Sequence, residues 1–489
     1  MKDLQLGTTL EQQGNLEEAV FAYRRAVKTE PKSAQAHHLL AKALTKKGYW
    51  QEAINYYHKT VELEPKLFPS CQELGKYLIK LNHQEKAINL YQKIGETLAK
   101  KNLFQDAIAI YEQAVELDLD QKWFYLYIGD IYNRQGNSLA AIDAYLKAIE
   151  IAPEFWQPHD RLLIKVQREK LAPELLERMI EPYQEVIRKR PDYLLGYSNL
   201  GDILTKLGRL DQAISCYQNA SYRQNLKLKP KFIEQAWDAG KRGQEPKFVI
   251  IGSMRCGTTS LYEYLTFHPQ FVPALKKEVK FFNFNFEAGK EWYLAHFPAI
   301  AEGKNYVTGE GSPDHLYYPE VASKILELFP DLKLIVMLRN PIDRSISQYY
   351  HWRKVGAEFR SLKDAIADEI ELINEMAQAS FDGKINRKGG SGCLLESVYI
   401  YFLEKWMSII PKDKFLILKS EDFYQNTPAT LNQVFNFIDL PNYQLKDYKT
   451  YNAGSYSDID PEMRQLLAKC FQPHNQRLEE FLGMKFDWD

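Results

Sequence analysis

The chain has 489 residues, 45% apolar and 26% charged, with a net charge of −1. That length exceeds one ordinary core, so two or more domains are expected. The near-neutral balance argues against a broad nucleic-acid footprint, and no apolar run approaches the length of a membrane span.

Five scattered cysteines with no C-x-x-C pair predict reduced thiols and no zinc site. The N-terminus lacks the apolar stretch of a signal peptide. Together these features predict a cytoplasmic protein.

Residues 1–225 repeat themselves. Ala19, Ala53 and Ala87 recur every 34 residues, as do Tyr23, Tyr57 and Tyr91. Ala107 and Ala141 keep the same step, as do Tyr111 and Tyr145. Gly14, Gly48 and Gly136 each stand five residues before a repeating alanine, and small residues recur earlier at Gly7, Ala41, Gly75, Gly95, Gly129 and Gly201. Alanine and tyrosine four apart share a helix face. The alanine lets helices approach, and the ring fills the space beside it. One helix pair cannot bury its apolar face alone, so neighbours must stack.

This spacing resembles the tetratricopeptide repeat, with its W-x2-L-G-x2-Y, A-x3-F and P positions. The resemblance implies an all-α superhelical array whose extended surface binds a protein partner or the acceptor of a reaction. Two irregularities stand out. Between Ala87 and Ala107 the step falls to 20, which predicts that one helix is missing or is fused into a long helix over Gln84–Lys101. Between Pro153 and Pro191 it rises to 38, an insertion around Gln167–Glu174. Residues 226–246 are basic, polar and broken by Gly240, Gly243 and Pro246. They are expected to form a linker with a short capping helix.

Residues 247–489 alternate strand and helix signals, which predicts an α/β domain with a parallel sheet flanked by helices. Strands are expected at Phe248–Gly252, Tyr306–Gly309, Lys333–Leu338 and Lys414–Leu418. Helices are expected at Thr259–Phe267, Pro319–Phe329, Ile342–Trp352, Leu362–Ala377, Leu395–Ile409, Thr427–Ile438 and Pro461–Leu482. In open sheets of this class ligands lie beyond the carboxyl ends of the strands.

The first strand runs into Gly252-Ser-Met-Arg-Cys-Gly-Thr-Thr-Ser260. Strand, glycine loop and helix start together suit an anion, because N–H groups at a helix N-terminus point outward unsatisfied and the helix dipole favours negative charge. The glycine spacing equals that of the nucleotide P-loop, G-x-x-x-x-G-K-S/T, but Thr258 stands where its lysine would be. Arg255 supplies a cation inside the loop instead. Cys256, Gly257, Thr258, Thr259 and Ser260 complete the loop. At the third strand's end, Arg339 leaves the sheet and Ser347 follows on the next helix. Guanidinium and hydroxyl groups suit a second phosphate.

Here the chain resembles the P-loop-like sulfotransferases that use 3′-phosphoadenosine 5′-phosphosulfate (PAPS), closest to their heparan-sulfate-type branch. The glycine loop looks like the family's 5′-phosphosulfate loop. Arg339 to Ser347 looks like its 3′-phosphate motif. Lys277-Glu-Val-Lys-Phe-Phe282 looks like the segment that carries the catalytic base, here Glu278. The tail around Phe471–Gly483 and Phe486-Asp-Trp488 is also similar.

The resemblance implies transfer of a sulfuryl group from PAPS to a hydroxyl or amine of a glycan, protein or other acceptor. Adenosine 3′,5′-bisphosphate (PAP) is the product, and no metal takes part. Glu278 and Arg255 would be catalytic. Arg255, Cys256, Gly257, Thr258, Thr259, Ser260, Arg339, Ser347, Tyr399, Gly454, Ser455 and Tyr456 would hold the donor, and Asp314 and His315 would face the acceptor. Gly311 departs from the branch, which often carries a lysine there. Two other readings compete: a P-loop nucleotide-dependent kinase, and a repeat scaffold with a degenerate enzyme domain.

Overall fold

The computed structural model describes residues 2–378, 392–448 and 459–488. It divides into two compact units, Met1–Gly208 and Arg209–Asp489.

The first unit is built of helices in antiparallel pairs, beginning with Lys2–Gln12 against Leu16–Thr29 and Ala34–Lys46 against Trp50–Leu63. The repeating alanines and tyrosines are its core: Ala19, Ala53, Ala87, Ala107 and Ala141 are fully buried, as are Tyr23 and Tyr145. Gly7, Gly75, Gly95 and Gly129 each receive the tyrosine ring of the following helix. A Cβ added at Gly75 would fall 2.5 Å from Tyr91, one at Gly95 2.2 Å from Tyr111, and one at Gly129 2.5 Å from Tyr145.

The helix Gln84–Lys100 accounts for the short step. Its first half carries Ala87 and Tyr91, as a second helix does. Its second half carries Gly95, which receives Tyr111 as a first helix does. One helix thus serves two repeats. The turns between paired helices need a left-handed residue. Gly14, Gly48 and Gly136 supply it, and Asn82 and Asn102 take the same conformation with φ of 60° and 62°. Asparagine tolerates that region better than other side-chain-bearing residues. The long step falls between helix Trp156–Arg168 and helix Pro173–Lys189, the latter 17 residues long.

Among the described residues, the second unit is organised on a four-stranded, all-parallel sheet of order β2-β1-β3-β4. The strands are β1 Phe248–Gly252, β2 Gly309–Glu310, β3 Lys333–Leu338 and β4 Phe415–Lys419. β1 and the last five residues of β3 are wholly buried, as a central parallel strand covered on both faces should be. Helix Pro461–Leu482 has the expected bounds, and helices Thr258–Phe267, Pro341–Lys354 and Thr427–Phe437 differ by one or two residues.

Two elements differ more. The strand expected at Tyr306–Gly309 pairs with β1 only through Gly309–Glu310. Val307 instead exchanges backbone hydrogen bonds with the 270–272 segment, donating to Gln270 and accepting from Val272. The helix expected from Leu395 begins at Tyr399, after a 3-10 turn at Leu395–Ser397. There the Cys393 carbonyl accepts from Arg344, Ser345 and Ser397 side chains.

Helix Leu210–Leu228 carries the repeat positions Ala213 and Tyr217 yet falls in the second unit. Tyr217 is fully buried, with its ring centroid 4.0 Å from that of His296, and Gln224 Nε2 donates to the Ala274 carbonyl over 2.9 Å. Residues 230–236 form a short helix whose Phe232 is buried against Tyr306. The segment read as linker is therefore packed into this unit. Among the described residues no helix is long and apolar enough to cross a membrane.

Candidate active site

The glycine loop leaves β1 at Gly252 and enters helix Thr258–Phe267 through Gly257. Gly257 has φ of 89°, and a Cβ there would meet the Tyr424 hydroxyl at 2.7 Å. Glycine is required on both counts. Arg255 also has positive φ, 68°. That conformation is costly for a side-chain-bearing residue and is found where the surroundings hold it.

Several contacts hold it here. Ser253 N donates to Met337 O over 2.8 Å, and the Ser253 and Tyr317 hydroxyls are hydrogen-bonded. Arg344 donates from Nε to Met254 O over 3.1 Å. Ser420 Oγ donates to Cys256 O over 2.7 Å.

Arg344 is fully buried, and so is its ion-pair partner Glu396, 2.7 Å away. Burial alone would lower the arginine's pKa, but neighbouring Tyr317 and Glu396 outweigh it and raise it. This cation ties the glycine loop to Cys393 and Ser397. Residue type alone does not single out Arg344. It sits in plain view in Arg339-Asn-Pro-Ile-Asp-Arg344, but only burial reveals what it grips.

The structure brings together residues from three distant stretches. Arg255 Nε donates to Ser347 Oγ over 3.1 Å. Arg339 Nη1 lies 3.4 Å from the Arg255 carbonyl oxygen. Tyr399 OH donates to the Arg339 carbonyl over 2.9 Å and stands 3.9 Å from Cys256 Sγ. Tyr399 and Cys256 are buried, and burial pushes both their pKa values up. The phenol and thiol are thus protonated supports for the loop. Thr258 and Ser260 are buried at the helix N-terminus, with Thr259 partly exposed beside them. His351 lies near enough to Arg255 to feel its charge: burial first, then Arg255, lowers its pKa.

Glu278 lies on an irregular segment and keeps 38% of its side chain exposed, with Lys277 Nζ at 3.3 Å and Lys280 Nζ at 3.6 Å. Gly311 N donates to Lys277 O over 2.8 Å. A Cβ at Gly311 would rest 3.5 Å from Lys277 Cε, so the lysine stem runs over the glycine. Asp314 and His315 are not exposed beside Glu278. His315 is fully buried, its Nδ1 3.6 Å from Asp314 Oδ1, and Asp314 accepts from Asn283 Nδ2 over 3.0 Å. Burial would raise the Asp314 pKa, but the His315 contact outweighs it and lowers it. Gly454, Ser455 and Tyr456 lie outside the described residues. At the chain's end Trp488 Nε1 donates to Glu421, whose other oxygen accepts from Asn340 N beside Arg339.

Arginines, a hydroxyl and a helix N-terminus are gathered at the ends of β1 and β3, a combination whose chemistry suits an anion. Comparisons with known proteins agree with that chemistry. The family model for the sulfotransferase domain matches residues 245–463. Tetratricopeptide-repeat models match residues 93–154 and 197–229, and a model for subunit 3 of the anaphase-promoting complex (cyclosome) matches residues 12–94.

The membrane-associated sulfotransferase kil1 of Dictyostelium discoideum is 25% identical over 312 residues, covering 50% of this chain and 66% of its own. Bifunctional heparan sulfate N-deacetylase/N-sulfotransferase 2 of Homo sapiens is 27% identical over 267 residues, covering 49% of this chain and 29% of its own. This chain thus spans just under two thirds of the first relative and less than a third of the second. A crystal structure of a sulfotransferase from Alicyclobacillus acidocaldarius aligns with 50% of this chain and 99% of its own, at 23% identity and a TM-score of 0.41. The chain joins tetratricopeptide repeats to a sulfotransferase domain.

Proposed function

We propose that the second unit transfers a sulfuryl group from PAPS to a hydroxyl or amine and releases PAP. The observation that carries this reading is the meeting of Arg255 and Ser347, with Arg339 behind them, at the ends of two parallel strands. A ligand with two separated phosphate-like groups matches two such anion-binding ends. The residues present fit the donor: two guanidinium groups, a hydroxyl, and the N-terminus of helix Thr258–Phe267 entered through a glycine.

The acceptor's oxygen or nitrogen forms a bond to sulfur while the bond from sulfur to the bridging phosphate oxygen breaks. The electron pair of that bond stays on the PAP phosphate, and Glu278 takes the acceptor's proton. Arg255 and the loop N–H groups stabilise the charge that develops on the leaving phosphate and the sulfuryl oxygens. The repeats serve as a docking surface for a protein partner or the acceptor. The heparan sulfate enzymes among the relatives make a glycan the first acceptor to assay. Five scattered cysteines with no C-x-x-C pair support a reducing, cytoplasmic setting.

Thermal shift of the full chain tests the donor site. PAP should raise the melting temperature, and ATP with Mg²⁺ should not. Stabilisation by ATP–Mg²⁺ alone would favour the kinase reading. Radiolabelled PAPS offered to desulfated heparin, tyrosine peptides and lipid extracts then identifies the acceptor. Binding of PAP with no transfer to any of them would favour the scaffold.

A further inference from the structure

We propose that Glu310 is a positioning residue whose buried carboxylate fixes the backbone that carries Glu278. This inference rests on the sulfotransferase reading for its consequence in turnover, but its geometry stands alone. Glu310 ends β2, the short edge strand that pairs in parallel with β1 through Phe248–Gly309 and Val249–Glu310. Its side chain is fully buried. Oε2 accepts from Val279 N over 3.0 Å and from Ser312 Oγ over 2.7 Å. Oε1 accepts from Tyr293 OH over 2.8 Å. One residue further on, Gly311 N donates to the Lys277 carbonyl over 2.8 Å.

Glu278 is therefore bracketed. The residue before it is bonded to Gly311, and the residue after it to Glu310. The segment 273–280 has no helix or strand of its own, so no ladder sets its height. The ion pairs of the Glu278 side chain do not set it either, because exposed pairs of this kind contribute little. A general base must stand within hydrogen-bond reach of the proton it removes. What holds it there is a chain of contacts running from β1 through β2 to the Glu310 carboxylate and Val279 N.

Burying a carboxylate is costly unless its oxygens are satisfied. Three donors from three places satisfy this one, and Tyr293 and Ser312 lock its orientation. An apolar side chain at 310 would remove that cost but leave Val279 N without its acceptor. The carboxylate's place therefore follows from the segment it supports.

Glu310→Gln and Glu310→Asp variants of the full chain separate this role from a merely structural one. Glutamine keeps the length and can accept from Val279 N while its amide donates to Tyr293 OH. Aspartate keeps the charge but is one methylene short. Three readouts are compared: hydrogen exchange of the Val279 amide, PAP affinity, and turnover of radiolabelled PAPS with water or desulfated heparin as acceptor.

The wild type and E310Q should protect Val279 and turn over at similar rates. E310D should lose that protection and about 100-fold in kcat, the scale expected for a misplaced catalytic group, with PAP affinity unchanged. Wild-type Val279 exchanging as freely as an exposed amide would overturn the proposal, as would E310D with wild-type kcat or E310Q failing as badly as E310D. If E310D does not fold, the wild type and E310Q still decide the matter. A wild-type chain that binds no PAP and turns over no PAPS would sink the sulfotransferase reading instead, and the exchange measurement would still report on the brace.

Discussion

Arg255 Nε donates to Ser347 Oγ over 3.1 Å, although 92 residues separate them. The loop after β1 and the helix after β3 thus meet through the two side chains expected to hold different ends of one ligand. Arg255→Ala should lower kcat by about 100-fold, the scale seen when one preorganised donor to a developing charge is removed. Ser347→Ala should instead weaken PAP binding by about tenfold, as expected for losing a hydrogen bond to a charged group. In a double-mutant cycle on PAP affinity the two substitutions should be non-additive, because the groups touch. Additive effects would separate them.

Glu278 is half-open to solvent between two lysines, so its loss should not unfold the chain. Glu278→Gln should leave the melting temperature and PAP affinity near wild type and lower kcat by about 10²–10⁴-fold, the range for general base catalysis. A variant as fast as wild type would remove Glu278 from the role of base.

The repeat pattern runs to about residue 225, but the compact second unit starts at Arg209. The difference is helix Leu210–Leu228, whose Tyr217 packs on His296 and Trp292 and whose Gln224 holds Ala274. A fragment 209–489 should melt cooperatively, and a fragment 226–489 should not. In the full chain Tyr217→Ala should cost about 3 kcal/mol of stability, as large-to-small changes at buried aromatics do. Equal behaviour of the two fragments by calorimetry would contradict the assignment.

In the first unit, Gly95 has no room for a side chain: its Cβ would lie 2.2 Å from Cε1 of Tyr111. Gly95→Ala should destabilise the array by about 1–3 kcal/mol through overpacking. Adding Tyr111→Leu should recover part of that loss, because the colliding ring is gone. Chemical denaturation of the four variants in the cycle reads both terms. A Gly95→Ala protein as stable as wild type would show that the helix shared by two repeats yields easily there.

What was legible in the sequence follows the range of each interaction. Ala19, Tyr23 and their successors announce the array because packing along a solenoid repeats locally at a fixed step. Asn82 and Asn102 do not stand out as turn residues, because glycine marks the neighbouring turns and asparagine takes the same left-handed conformation without that signature. β1 and β3 were plain as apolar runs. β2 was displaced because Val307 is drawn to the 270–272 segment, a pairing that no local pattern encodes. Arg255, Arg339 and Ser347 stood out by residue type at strand ends, and the fold brings them into contact. Arg344 and Glu310 did not stand out, since each acts on a backbone group far away in sequence, Met254 O and Val279 N.

Glu310 also gives stability a pH dependence of definite sign. Burial raises its pKa above the ordinary 4.5, against the lowering influence of His315, Ser312 and Val279 N. In the unfolded chain it titrates at about 4.3. A raised folded value means that the native state holds the proton more tightly. That contribution to stability is therefore fully present below the unfolded value and is lost as pH rises through the folded one. Glutamine at 310 has no proton to lose. The melting temperature of Glu310→Gln relative to wild type should accordingly climb as pH rises above the unfolded value. A difference that stays flat, or shrinks, over that window would show that the donors from Val279, Ser312 and Tyr293 outweigh burial at this carboxylate.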